Sequence, residues 1–545
     1  MFRLALICGS GHLAVSAGNA VQEVMIPMRD GVKLYTTVQL PKSKGKFPVI
    51  IYRNPYRDKT DFNALIEENI HGYAVVSQHC RGTGQSEGVF VSYRNEHNDG
   101  LDLLEWVRKQ PFYNGEIFLA GTSYASSVHL SYMGSNPPDI KGAVLNVQDQ
   151  KRYNIVYRNG FYKTGGWGFN MHRKNNPPQY NWSEDIFRTM PLKGLSKKVF
   201  GEIVPHLEEV LMHPDPADEF WRTPEGGADF SDAVSRSNIP VLLVTSHYDI
   251  YLGGICDMWN SLPPERKKEC AMVITPYNHN FDPAPDKRKN LLMEFPNGSL
   301  KEMCGGDYTY MWFDNIRKNS PLRFVEKGKV KYYTMFENVW HTADTLADAP
   351  NRKYFYLQQD RSLQQEAGET GEITYLYNPY APAKFKGGTV HGGGILRVQD
   401  KANSRYDIIS FVSKPFAEDA VYEGRGEVVL HCRSTAPDTC FYVRLNLVRK
   451  GGKALNMRDD IDSLCRVEKE YTPGGERVLR FILPEHSFKI AAGDRLRLDV
   501  SSSCVPYFQV HTNRKGLLAL HEKADCCYNT VITGKSHMIL PFRSK

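Results

Sequence analysis

Six short, almost wholly apolar runs in the first half of the chain constrain its fold more than any other feature. They are Phe47-Pro48-Val49-Ile50-Ile51-Tyr52, Tyr73-Ala74-Val75-Val76, Ile117-Phe118-Leu119-Ala120, Ala143-Val144-Leu145, Val241-Leu242-Leu243-Val244 and Met272-Val273-Ile274. A strand with no polar face must be buried on both sides. Helical patterns lie between the runs, as at Asp99 to Lys109, where Leu101, Leu104 and Val107 share one face. The pattern predicts an α/β domain, a parallel sheet with helices on both faces. Ahead of it, two alternating stretches flank Asp30-Gly31, which predicts a hairpin.

At 545 residues the chain exceeds one hydrophobic core, so two or three domains are expected. The stretch 150–238 breaks the sheet rhythm. It carries Trp167 and Trp182 and turns helical over Lys197 to Leu211. Because the sheet pattern resumes after it, it reads as a cap inserted into the α/β domain, placed to shape a substrate pocket. After about residue 346, β-rich pieces separated by Gly, Pro and Asp turns follow: Tyr354–Leu357, Glu427–His431, Phe441–Val448, Arg477–Leu483 and Arg495–Val500. Their even spacing predicts an antiparallel jelly roll, in which nothing suggests catalysis.

Composition excludes several classes of function. The net charge of +7 is spread over 68 basic and 61 acidic residues that interleave, which is no nucleic-acid footprint. No run of 18 apolar residues predicts a membrane-spanning helix. The 11 cysteines are odd in number and contain no Cys-x-x-Cys pair, so they read as buried small hydrophobes; no metal and no cofactor is expected. Residues 1–20 resemble a secretory leader as much as a plain disordered terminus, with Arg3, a short apolar stretch broken at Gly9 to His12, and a small-x-small end at Ala17 to Ala20. A leader would send the chain to the periplasm or outside the cell, and its absence would leave it in the cytoplasm.

The chemistry concentrates at Gly121-Thr122-Ser123-Tyr124-Ala125-Ser126, between the third apolar run and a helical segment. A serine on a tight strand-to-helix turn between small neighbours is a candidate nucleophile, with backbone N–H groups nearby to receive an oxyanion. In such a sheet the acid and base follow in the order Ser, Asp, His, on loops beyond strand C-termini. The fifth run ends in Thr245-Ser246-His247-Tyr248-Asp249 and the sixth in Thr275-Pro276-Tyr277-Asn278-His279. Asp249 and His279 are therefore the expected acid and base. His247, two residues before Asp249, is the competing imidazole and ranks as a supporting residue. Tyr124 is expected to give one oxyanion-hole N–H, and Tyr56, on the loop after the first run, the second donor. The organisation expected is an α/β-hydrolase core over 21–149 and 239–345, a helical cap over 150–238, and a C-terminal β jelly roll over 346–545.

Several segments resemble the cocaine esterase-like (CocE/NonD) hydrolases, relatives of the X-Pro dipeptidyl-peptidases. They include Arg53-Asn54-Pro55-Tyr56-Arg57-Asp58-Lys59, His79-Cys80-Arg81-Gly82-Thr83-Gly84-Gln85-Ser86-Glu87-Gly88, Glu96 to Gly115, Gly121-x-Ser123-Tyr124 and His213-Pro214-x-x-x-Asp218-x-x-Trp221. Tyr248-Asp249, Thr275 to His279, Ala436-Pro437-Asp438-Thr439 and Ser501 to Phe508 extend the likeness over nearly the whole chain. The resemblance implies Ser123 as nucleophile, Asp249 as acid, His279 as base, and the Tyr56 hydroxyl with the Tyr124 N–H as the oxyanion hole. The family often has Gly three residues after the nucleophile, where this chain has Ser126. Its alpha-amino-acid ester hydrolase branch carries two carboxylates after the catalytic Asp, where this chain has Tyr251 and Leu252, so an ammonium-bearing substrate is disfavoured.

The expected substrate is a small ester, amide or short peptide, cleaved through an acyl-enzyme. X-Pro dipeptidyl-peptidase activity is the alternative, and an inactive scaffold whose jelly roll binds carbohydrate or protein is a remoter one. Homo-oligomerisation is left open.

Overall fold

The computed structural model describes residues 7–8, 21–56, 71–163, 189–223, 226, 230–283, 294–346, 351–389, 396–467 and 469–544. β1 (Gln22–Pro27) and β2 (Lys33–Gln39) form the expected hairpin, turning at Gly31 with φ 85°. The six apolar runs become β3 (Phe47–Asn54), β4 (Ala74–His79), β5 (Tyr113–Thr122), β6 (Ile140–Asn146), β7 (Val241–Ser246) and β8 (Ala271–Thr275). β9 (Val330–Thr334) and β10 (Val339–Ala343) complete one edge. The spatial order is β1-β2-β4-β3-β5-β6-β7-β8-β9-β10, with the short Ile7–Cys8 strand beside β1. Every neighbouring pair from β4 to β9 is parallel. Their C-terminal ends therefore share one edge, where ligands of open α/β sheets bind.

The two-faced burial is visible residue by residue. Val49, Ile51, Leu119, Leu145 and Leu243 belong to one core cluster, while Ile50, Tyr52, Phe118, Val144 and Val244 belong to another on the opposite face. The first is covered by α1 (Glu96–Arg108), through Leu103, Leu104 and Val107, and by α3 (Leu252–Ser261), through Ile255 and Trp259. α4 (Tyr308–Lys318) covers the second with Trp312 and Phe313. α2 (Tyr124–Met133) follows β5 directly.

Between β6 and β7, helices span Arg152–Val156, Leu195–Phe200 and Pro205–Val210. The continuous helix expected over Lys197 to Leu211 is thus two helices. Gly201 takes φ 82°, which no helix interior allows, and Pro205 starts the second as its first residue. The His213 to Trp221 motif knits this region together. His213 Nδ1 lies 2.7 Å from Asp218 Oδ2, its ring stacks on Phe220 at 4.0 Å, and Trp221 Nε1–H donates to the His213 carbonyl. Trp167 and Trp182 lie outside the described residues, as do Arg57 to Lys59.

The C-terminal part is β-rich and mainly antiparallel. Its long strands Ala420–Ser434 and Arg477–Ile490 pair along most of their length, as do Cys440–Val448 and Ala454–Ser463. It does not stand apart from the α/β sheet: Tyr248, Tyr277, Tyr333 and Met335 share a core cluster with Phe441, Val443, Phe488 and Leu498. The ten cysteines with described side chains are all free, and most are buried.

The joint between the two parts contains two fully buried imidazoles, His247 and His486, whose rings lie 4.5 Å apart. Burial, reinforced by Arg458, pushes His247 down to about 3, and burial with Arg458 and His247 puts His486 well below its ordinary value. Both are neutral in the fold but charge in the unfolded chain. Their contribution to stability is therefore complete above the unfolded value of about 6.5 and is lost as pH falls toward the folded values. Neither His486 ring nitrogen has a hydrogen-bond partner among the described residues. His486→Phe is expected to flatten the decline of unfolding free energy between about pH 6.5 and pH 4, by up to about 1.4 kcal/mol per pH unit. Urea titrations across that range check this; an unchanged slope contradicts it.

Candidate active site

Ser123 sits between β5 and α2 with φ 60° and ψ −128°, a conformation that costs a non-glycine residue energy and persists only where its surroundings enforce it. The enforcement is local. A Cβ on Gly121 would lie 2.2 Å from the Ala125 carbonyl oxygen, so only glycine lets the helix fold back this closely on the strand. The Ser123 N–H donates to the Asn146 carbonyl at 2.9 Å. Ser126, where a glycine is usual in the resembling family, uses its hydroxyl twice: Oγ–H donates to the Asn146 carbonyl at 3.1 Å and accepts the Asn146 N–H at 2.9 Å. The departure ties α2 to the end of β6.

The three expected residues converge from three strand ends. His279 Nε2 lies 2.9 Å from Ser123 Oγ, and His279 Nδ1 lies 2.9 Å from Asp249 Oδ1. A carboxylate only accepts, so Nδ1 carries the ring proton, which leaves Nε2 to accept from the serine hydroxyl. Asp249 is 1% exposed and Ser123 5% exposed, so water scarcely competes for these bonds. The second Asp249 oxygen accepts from Thr245 Oγ1–H at 3.1 Å. Tyr251 packs edge-on against His279, centroids 5.5 Å apart, and Leu252 is buried as the first residue of α3.

The two expected oxyanion donors are neighbours. The Tyr124 N–H donates to the Tyr56 hydroxyl at 3.3 Å, and the Tyr56 N–H is held by Asn54 Oδ1 at 2.9 Å. His247 turns away from this group, with Nε2 at 2.7 Å from the Tyr333 carbonyl. Its place is the joint described above. The β-rich part nonetheless reaches the site, because the Tyr248 hydroxyl, one residue before Asp249, donates to the Asn456 carbonyl at 2.8 Å.

Sequence reasoning missed Thr245 and a buried charged group behind Tyr124, formed by Arg53, Glu96 and Asp99. Thr245 left a positional signal, four residues before Asp249 at the end of an apolar run. Glu96 left a weaker one, an acid opening a helix inside a motif already singled out.

A family model for the X-Pro dipeptidyl-peptidase (S15 family) matches residues 30–280, and one for the X-Pro dipeptidyl-peptidase C-terminal non-catalytic domain matches residues 323–539. The cocaine esterase of Rhodococcus sp. (strain MB1 Bresler) is 24% identical, covering 96% of this chain and 98% of its own. Among solved structures, an aminopeptidase from the marine sediment archaeon Thaumarchaeota archaeon matches 96% of both chains with TM-score 0.81 and 20% identity. An alpha-amino acid ester hydrolase matches 98% of both chains with TM-score 0.80 and 19% identity.

Ser126→Ala removes both bonds to Asn146 and leaves a buried N–H without its acceptor. The expected loss of unfolding free energy is about 1–3 kcal/mol, read from the urea midpoint at constant slope. An unchanged midpoint would remove Ser126 from the account of the turn.

Proposed function

The chain belongs to the cocaine esterase-like (CocE/NonD) hydrolases, relatives of the X-Pro dipeptidyl-peptidases, and is a serine-type ester or amide hydrolase; from that premise we propose that Ser123, His279 and Asp249 are its catalytic triad. The observation that carries the reading is the single imidazole of His279, 2.9 Å from both the hydroxyl and the carboxylate. His279 takes the Ser123 proton as Oγ attacks the substrate carbonyl carbon, and Asp249 stabilises the imidazolium that forms. The negative oxygen of the tetrahedral intermediate is received by the Tyr56 hydroxyl and the Tyr124 N–H. His279 then passes the proton to the departing alcohol or amine, leaving an acyl group on Ser123. Water repeats the sequence on that acyl-enzyme and releases the acid. No step needs a metal or an organic cofactor.

The substrate of this reading is a small ester or amide. The region 150–238 acts as a cap over the site, and 346–545 as the domain that braces the Asp249 loop. X-Pro dipeptidyl-peptidase activity is the second reading, favoured by the family description over 30–280. Such cleavage needs a counter-charge for the free amino terminus of the substrate. Tyr251 and Leu252, both buried and uncharged in side chain, give none beside Asp249, so the small ester or amide ranks first.

Ser123→Ala is expected to abolish hydrolysis of short-chain nitrophenyl esters and labelling by a fluorophosphonate, with the fold retained. Unchanged rates would reject the triad. In the unsubstituted protein the ester should be cleaved faster than Gly-Pro anilide, and the opposite preference would reverse the ranking. Tyr56→Phe should lower kcat by about 10²–10³-fold as the loss of one oxyanion donor.

A further inference from the structure

We propose that Arg53 and Glu96 are positioning residues of the oxyanion hole, acting through the Tyr124 phenol to hold the Tyr124 backbone N–H in place. This rests on the reading of that N–H as an oxyanion donor. An amide on a strained turn is aimed by whatever fixes the residue that carries it, and Tyr124 is fixed by its own ring. The ring is 1% exposed, 4.5 Å from the ring of Tyr93 and 5.8 Å from that of Phe90. Its hydroxyl accepts the Tyr93 N–H at 2.7 Å and donates to Glu96 Oε1 at 3.0 Å.

Glu96 is itself clamped. Its Oε2 faces Arg53 Nη1 at 3.1 Å, and the same nitrogen donates to the Glu96 carbonyl at 3.0 Å, so one guanidinium holds both ends of the residue. Arg53 Nε–H donates to Gln78 Oε1 at 2.9 Å. Asp99, one helical turn on, lies 3.9 Å from Arg53 Nη2 and is held by Arg81 at 2.7 Å. Burial raises the Glu96 carboxyl above its ordinary value, and Arg53 opposes that shift.

A phenylalanine at 124 would fill the same space, and a buried ion pair is poor evidence of stabilisation for its own sake. What the charges add is direction. The carboxylate accepts the phenol at one angle, the guanidinium fixes the carboxylate, and the guanidinium is anchored on the penultimate residue of β3. The residue after Arg53 is Asn54, whose Oδ1 holds the Tyr56 N–H. One buried cation therefore stands at the root of both oxyanion donors, the first through Glu96 and Tyr124, the second through Asn54, the next and last residue of β3.

The test uses Tyr124→Phe, which keeps the backbone N–H and the ring but cuts the tether, and Glu96→Gln, which keeps an acceptor for the phenol but loses the charge that Arg53 grips. The readouts are kcat and KM on a short-chain nitrophenyl ester, the inhibition constant of phenylboronic acid, and the thermal melt. Phenylboronic acid adds the serine oxygen to boron, so its tetrahedral adduct reports the oxyanion hole where substrate affinity does not. Tyr124→Phe is expected to lower kcat and boronate affinity together by roughly tenfold or more, with KM within about twofold and a cooperative melt. Glu96→Gln should move both in the same direction by less, and it decides the matter if Tyr124→Phe does not fold. A folded variant with unchanged kcat and boronate affinity, or with a raised KM alone, overturns the proposal. Ser123→Ala separates the two readings: if it stays active, the triad falls, whereas loss in Ser123→Ala beside an unaffected Tyr124→Phe removes only the brace.

Discussion

The turn at Ser123 is the constraint on which the rest of the structure depends. A serine with positive φ directly after β5 is lifted above the sheet edge, and it stays there because Gly121 lets Ala125 fold back to a contact no side chain permits. The parallel order of the strands then does the remaining work. β7 and β8 end on the same edge as β5, two and three places along the sheet, so the loops carrying Asp249 and His279 open toward the same hydroxyl. One imidazole spanning two 2.9 Å contacts is the outcome of that topology.

The buried charges have a common logic. Each lies where a loop or strand end near the site is held by contacts from more than one element. Arg53 and Glu96 stand behind Tyr124. On the other side, Arg458 gives its guanidinium to the carbonyls of Met457, Pro484 and Glu485, close to the ring of Tyr248. The β-rich part thus supports the loop of Asp249 without supplying one of the three converging side chains. Support of this kind explains why a domain with no catalytic signature shares a core with the sheet rather than hanging from it.

Much of this was legible in the chain, for identifiable reasons. Strands buried on both faces leave continuous apolar runs, and Val49 and Ile50 do fall into opposite core clusters. The order of Ser123, Asp249 and His279 follows from strands that can be seen, so the meeting of the three was readable before any distance was known. Ala454–Ser463 was not readable as a strand, because Arg458, Asp459, Asp460 and Asp462 are residue types that ordinarily face solvent. Their burial depends on partners far away in sequence, such as Asn159, whose Nδ2 lies 3.3 Å from Asp460 Oδ1. Glu96 was missed for the same reason, its partners Arg53 and Tyr124 lying on other elements, and the helical stretch over Lys197 to Leu211 divides because Gly201 takes a left-handed conformation that ends a helix.

The central claim is that the Ser123 hydroxyl becomes the carbon-attacking group, and trapping the acyl-enzyme tests it most directly. Acid quench within the first turnovers of a nitrophenyl ester, followed by proteolysis and mass spectrometry, should find one acyl group per chain, on the peptide that contains Ser123. An acyl group on any other residue, or steady turnover with none trapped under rapid mixing, would contradict the account.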